Sequence, residues 1–103
     1  MTEEEARQRL DEFRIAVDDI DRRIVELVNE RTRVVEEIGR VKREAQLPIY
    51  EPKREEQVFA NITECNRGPI PPDCMRRIFE RIIDEMRTIQ RRKMQAPPEG
   101  PKC

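Results

Sequence analysis

Apolar residues recur along the first part of the chain in a strict alternation of three and four: Leu10, Phe13, Val17, Ile20, Ile24, Leu27, then Val34, Ile38, Val41 and Ala45. That is the heptad spacing of a helix with one packing seam. No proline falls between Glu3 and Ala45, and the only glycine there is Gly39. The pattern therefore predicts one unbroken helix from Glu3 to about Ala45. Such a helix would be roughly 60 Å long at 1.5 Å per residue. A compact domain of about 100 residues has a radius of gyration of only about 13 Å. The remaining residues are too few to cover the seam, which calls for a second copy of the chain and predicts an obligate dimer.

Gln46-Leu47-Pro48-Ile49-Tyr50 breaks this helix. Pro52 suits the first position of a second one, with Glu51 before it as a cap. The second helix is predicted to run to about Cys65, with Val58, Phe59 and Ile62 as its apolar side. The segment from Asn66 to Pro72 reads as a loop by its Gly and Pro content. A third helix is predicted from about Asp73 to Met94, with Met75, Ile78, Phe79, Ile82, Ile83, Met86 and Ile89 or Gln90 at helical spacing. The fold class is all-α: three helices with a very long first helix, in one domain over residues 1–94. Residues 95–103, rich in Pro and Gly, are expected to form a disordered tail.

Composition narrows the chemistry. Of 103 residues, 42% are charged and 36% hydrophobic, and the net charge is −1. That balance gives no global field for nucleic acid, so any anion site must be a local cluster. The absence of histidine removes the commonest general base and metal ligand together. Cys65, Cys74 and Cys103 are scattered and form no C-x-x-C pair, which fits reduced thiols rather than a disulfide framework. The acidic N-terminus has no apolar region of a signal peptide, and no apolar run reaches membrane-spanning length. The expectation is a soluble cytoplasmic protein.

Positive charge sits where the seam should be apolar. The heptad position between Leu27 and Val34 is Arg31, while Arg14 and Lys42 occupy the flanking position that also holds Val28 and Val35. A long cation can snorkel to water at a seam edge, and a single polar seam residue can set register. Arg31, Val35, Ile38 and Lys42, however, form one strip, with the two cations roughly 16 Å apart along the axis. Long side chains at that spacing can converge on a small anion. Gly39 beside the strip costs about 1 kcal/mol against Ala, which fits either close approach of a ligand or a tight helix crossing. Arg14 lies roughly 42 Å from Lys42, so if both serve one site, Arg14 must come from the other protomer. Glu51, Arg54 and Glu55 share a face at the start of the second helix, where dipole compensation and a surface pair also account for them. Gln90 lies on the apolar stripe of the third helix, near an end where solvation is the ordinary state.

Arg14, Asp21-x-x-Ile24, Glu30-Arg31, Gly39-x-x-Lys42, Pro48, Arg54-Glu55 and Gln90, in this order, resemble the all-helical (AroQ-type) chorismate mutases over about residues 6 to 92. The resemblance implies an intertwined homodimer that converts chorismate to prephenate, a [3,3] rearrangement on the route to Phe and Tyr, with no cofactor and no metal. By motif position, Arg14 of the opposite protomer and Arg31 would grip the two substrate carboxylates. Lys42 and Gln90 would donate to the ether oxygen, Glu55 would hold the ring hydroxyl, and Glu51 and Arg54 would line the pocket. The catalytic set would thus be Lys42, Gln90 and Arg31. Glu51 stands where Asp is expected, and Met86 where some members have Ser, so Met86 stays outside the polar site. Two other functions share these features: isochorismate-pyruvate lyase, and a non-catalytic helical dimer that regulates a shikimate-pathway enzyme. Association with a DAHP synthase is a further partner expectation by resemblance.

Overall fold

The computed structural model describes residues 1–95. They form three helices: α1 (Glu3–Ala45), α2 (Pro52–Cys65) and α3 (Pro72–Gln95). The element order is the one the apolar spacing predicts. α3 extends through Gln95, one residue into the segment expected as tail, and the rest of that segment lies outside the described residues. No helix among the described residues is long and apolar enough to cross a membrane. The chain divides into two compact units, Met1–Arg33 and the part from Val34 onward.

The first unit is helical throughout from Glu3. Thr2 Oγ1 accepts the Glu5 N–H at 3.1 Å, capping the helix, and Glu3, Glu4 and Glu5 complement its positive end. Ion pairs such as Arg22–Asp19 at 2.9 Å span single turns on the surface, where such pairs contribute little. Leu10, Phe13, Val17, Ile20, Ile24 and Leu27 are all exposed, Phe13 at 68%. An apolar stripe of that extent leaves the main source of helix stability, burial of one face, unused within the protomer.

The second unit holds the end of α1 together with α2 and α3. Its buried hydrophobic residues are Val35, Ile83 and Met86. Gly39 and two polar residues, Lys42 and Gln90, are buried with them. Gly39 is where α1 meets α3: a methyl group there would stand 3.6 Å from Gln90 Cα and 3.6 Å from Lys93 Cβ. These are ordinary contact distances, so Ala fits and a larger side chain displaces Gln90. The helix crossing calls for a small residue at position 39 but does not by itself require glycine over alanine. Lys93 Nζ pairs with Glu36 at 3.0 Å, and Arg43 Nη1 donates to the Lys93 carbonyl at 3.4 Å. The Arg76 guanidinium lies 4.0 Å above the Phe59 ring and ties α2 to α3. Ile78, assigned by spacing to the apolar side of α3, is 49% exposed.

The end of α1 directs the following segment. Gln46 takes a positive φ of 56°, Leu47 N–H bonds to the Lys42 carbonyl at 2.8 Å, and Gln46 N–H reaches the Arg43 carbonyl at 3.3 Å. This is a Schellman termination with Gln in the place glycine usually fills. Pro48 follows and cannot resume the helix. Pro52 then opens α2, with Glu51 at the cap position. The expected side-chain cap is not formed: the Glu51 carbonyl accepts the Glu55 N–H at 3.1 Å, but its carboxylate bonds to no α2 backbone N–H. Its carboxylate is engaged elsewhere.

Candidate active site

Lys42 is only 7% exposed, on the side of α1 that faces the short core. A buried ammonium is costly unless its N–H groups find acceptors. Two hydrogen bonds, to the Ile49 carbonyl and Gln90 Oε1, and an ion pair with Glu51 Oε1 meet that need, at 2.9 Å each. The turn after α1 brings the Ile49 carbonyl back toward Lys42. The position before α2 supplies Glu51, and the α1–α3 crossing at Gly39 supplies Gln90.

The partner identities also fix the Gln90 amide. Lysine can only donate, so Gln90 must present its oxygen to Nζ. Its two N–H groups are therefore committed to face another acceptor. Gln90 is 9% exposed, so that acceptor meets a donor largely shielded from water.

A second charged pair comes from the same two elements. Glu51 and Glu55 are four residues apart, one helical turn, and Glu55 Oε2 stands 3.2 Å from Arg87 Nε on α3. Arg87 in turn precedes Gln90 by three residues, on the same side of α3. Its Nη2 donates to Asp84 Oδ1 at 2.7 Å, and its guanidinium lies 5.6 Å from the centre of the Tyr50 ring. Arg87 Nε is buried, and although it is close enough to Glu55 for an ion pair, it is not aligned for a hydrogen bond.

Of the residues singled out by sequence, Lys42, Glu51 and Gln90 are thus in direct contact, and Glu55 lies one turn along α2 from Glu51. Arg54 is exposed and donates to Gln57 Oε1 at 3.4 Å. Arg14 and Arg31 belong to the first unit. Arg14 is exposed and lies 3.7 Å from Asp11, while Arg31 is half-buried. Three participants are absent from the sequence expectations: Arg87, Tyr50 and the Ile49 carbonyl. Arg87 carried a signal, its three-residue offset from Gln90. A backbone carbonyl carries none.

The arrangement offers fixed N–H donors in a partly water-excluded setting and neither histidine nor an activated nucleophile. Such a site stabilises charge at a defined point rather than moving protons.

Known proteins of similar sequence and shape share one family name. The chain is 33% identical to the bifunctional chorismate mutase/prephenate dehydratase of Aquifex aeolicus over 93% of its own length, but spans only 27% of that relative. It is 25% identical to the chorismate mutase of Methanocaldococcus jannaschii and spans 90% of it. Among solved structures, chorismate mutase from Thermus thermophilus superposes with a TM-score of 0.80 at 40% identity, over 82% of this chain and 96% of that one. Residues 13–91, which include Lys42, Glu51, Glu55 and Gln90, match the family described as chorismate mutase type II, and the chain belongs to that family.

Proposed function

We propose that the chain is a chorismate mutase, converting chorismate to prephenate by the [3,3] rearrangement. One C–O bond breaks, one C–C bond forms, and no proton, electron or co-reactant is consumed. The observation that carries this reading is the buried Lys42–Gln90 pair, whose donors are set in place by two helices and a turn. As the C–O bond lengthens, negative charge grows on the ether oxygen. Lys42 Nζ and the Gln90 amide N–H groups stabilise it, in the manner of an oxyanion hole. Arg31 and an Arg14 bind the two carboxylates, for which the planar guanidinium offers paired donors. Glu55 accepts from the ring hydroxyl. Glu51 and Arg54 border the site. Holding a flexible dianion in its reactive conformer supplies the remaining acceleration.

The test is direct: purified protein is given chorismate and, separately, isochorismate, and the products are identified. Prephenate from the first is the expected result. Pyruvate and salicylate from the second, with no prephenate, would assign the lyase instead.

The active form is a homodimer in this proposal. The exposed apolar stripe of the first unit supplies the contact surface, and the Arg14 of each site comes from the other protomer. Arg14→Ala and Lys42→Ala proteins should each be inactive alone. Unfolded together and refolded as a mixture, they should recover about a quarter of wild-type activity, because half the dimers are mixed and each of those holds one intact site. Recovery absent from the mixture, with dimers demonstrably exchanged, would place Arg14 outside the shared site.

A further inference from the structure

Arg87 lies outside the set of residues carried over by resemblance, yet it is the cation facing Glu55. Three observations converge on it. Its Nε stands 3.2 Å from Glu55 Oε2. Its other end is held by Asp84 at 2.7 Å and lies against the Tyr50 ring. Both side chains of the Glu55–Arg87 pair are largely withdrawn from water, at 22% and 29% exposure. Asp84 and Tyr50 thus fix the guanidinium from the α3 side and from the segment that leads into α2. The Glu55 carboxylate is held through Arg87.

We propose that Arg87 is a positioning residue for substrate binding, acting through Glu55; the inference rests on the mutase reading above. A carboxylate beside a dianionic ligand is repelled by it. Arg87 offsets that repulsion and holds one carboxylate oxygen. The other oxygen is left to accept from a neutral hydroxyl on the ligand. The pair therefore selects a hydroxylated ring: an analogue in which that hydroxyl is absent makes no use of an oriented acceptor. Arg87 itself touches no reacting atom. Its contribution is the same in the ground state and the transition state, and so belongs to KM rather than kcat.

The test uses the full chain. Arg87→Met keeps the apolar stem while removing the guanidinium, and Arg87→Lys keeps the charge. In Arg87→Met, KM for chorismate should rise about tenfold, with kcat within about twofold of wild type. Arg87→Lys should return most of that loss. In a Glu55→Gln background, Arg87→Met should raise KM by less than about twofold, since there is no longer a charge to hold.

An Arg87→Met protein of normal helicity and unchanged KM overturns the assignment. So does a loss in kcat alone, or a full tenfold effect that persists in the Glu55→Gln background. If Arg87→Met fails to fold, Arg87→Lys and the Glu55→Gln pairings decide by the same KM criteria. Wild-type protein that does not convert chorismate overturns the mutase reading itself, and Arg87 with it. Wild-type turnover with unmoved variants overturns Arg87 alone.

Discussion

Lys42→Ala should lower kcat by at least about a thousandfold, while circular dichroism and sedimentation still report a helical dimer. Removing one preorganised donor from an oxyanion-type site typically costs about 2.7–4 kcal/mol of transition-state stabilisation. Here the substitution does more than delete a donor. Lys42 Nζ is the group to which Gln90 Oε1 is tied at 2.9 Å. Without it the amide is free to turn over, and the second donor loses its aim. The Ile49 carbonyl and Gln90 Oε1 also lose a partner in a buried place, each at a stability cost of about 1–3 kcal/mol unless water replaces it. The thermal midpoint should therefore fall as well. The decisive comparison is kcat measured well below that midpoint: a variant near wild-type rate there removes Lys42 from the chemistry.

Gln90→Glu should be nearly inactive at neutral pH and recover as the solution is acidified. A protonated carboxylic acid can replace the amide as a donor, whereas an ionised one repels charge growing on the ether oxygen. The Lys42 ammonium favours the ionised form of a carboxylate placed at Gln90 Oε1, whereas burial and the Glu51 carboxylate on the same ammonium favour the protonated form. Activity is present below the pKa of the new group and lost as pH rises through it, by about tenfold per unit. Wild type, with an amide that does not titrate, should show no such limb. The kcat profile of the two proteins between mildly acidic and neutral pH makes the comparison, and parallel profiles would contradict the role given to Gln90.

The three helices and the length of α1 were legible because spacing alone encodes them: an uninterrupted heptad needs no knowledge of tertiary contacts. Lys42 was legible for a related reason, since a cation beside an apolar seam conflicts with local pattern and conflicts mark function. Gly39 was ambiguous in sequence because a ligand and a helix can both demand a small residue. The position of Gln90 and Lys93 shows that a helix does pack there, at a distance that admits alanine. Glu51 looked like a cap, and its place in the chain is indeed the cap position. A buried ammonium nearby is a stronger acceptor-seeking partner than the α2 backbone, and it takes the carboxylate. Arg87 was hidden by its own neighbour. Its three-residue spacing to Asp84 reads as one more surface pair on a charged helix, and the partner that matters lies on another element. Arg14 and Arg31 show the limit of the single chain, because the first unit exposes the surface on which their roles depend.

The three contacts of Lys42 carry a consequence for affinity. The Ile49 carbonyl and Gln90 Oε1 accept hydrogen bonds from the Lys42 ammonium, and the Glu51 carboxylate pairs with it at 2.9 Å. A ligand oxygen that approaches Nζ competes with the Glu51 carboxylate for the same ammonium. The Glu51 side chain is half exposed, so water can receive its carboxylate readily, whereas the other two acceptors would be stranded by the exchange. Binding at Nζ is accordingly a competition between the ligand oxygen and the Glu51 carboxylate. Its net strength depends as much on how tightly residue 51 competes as on how well the ligand fits. In the proposed mutase the acidic side chain at that position is then a rheostat on substrate affinity, adjustable by one methylene without disturbing the donors themselves.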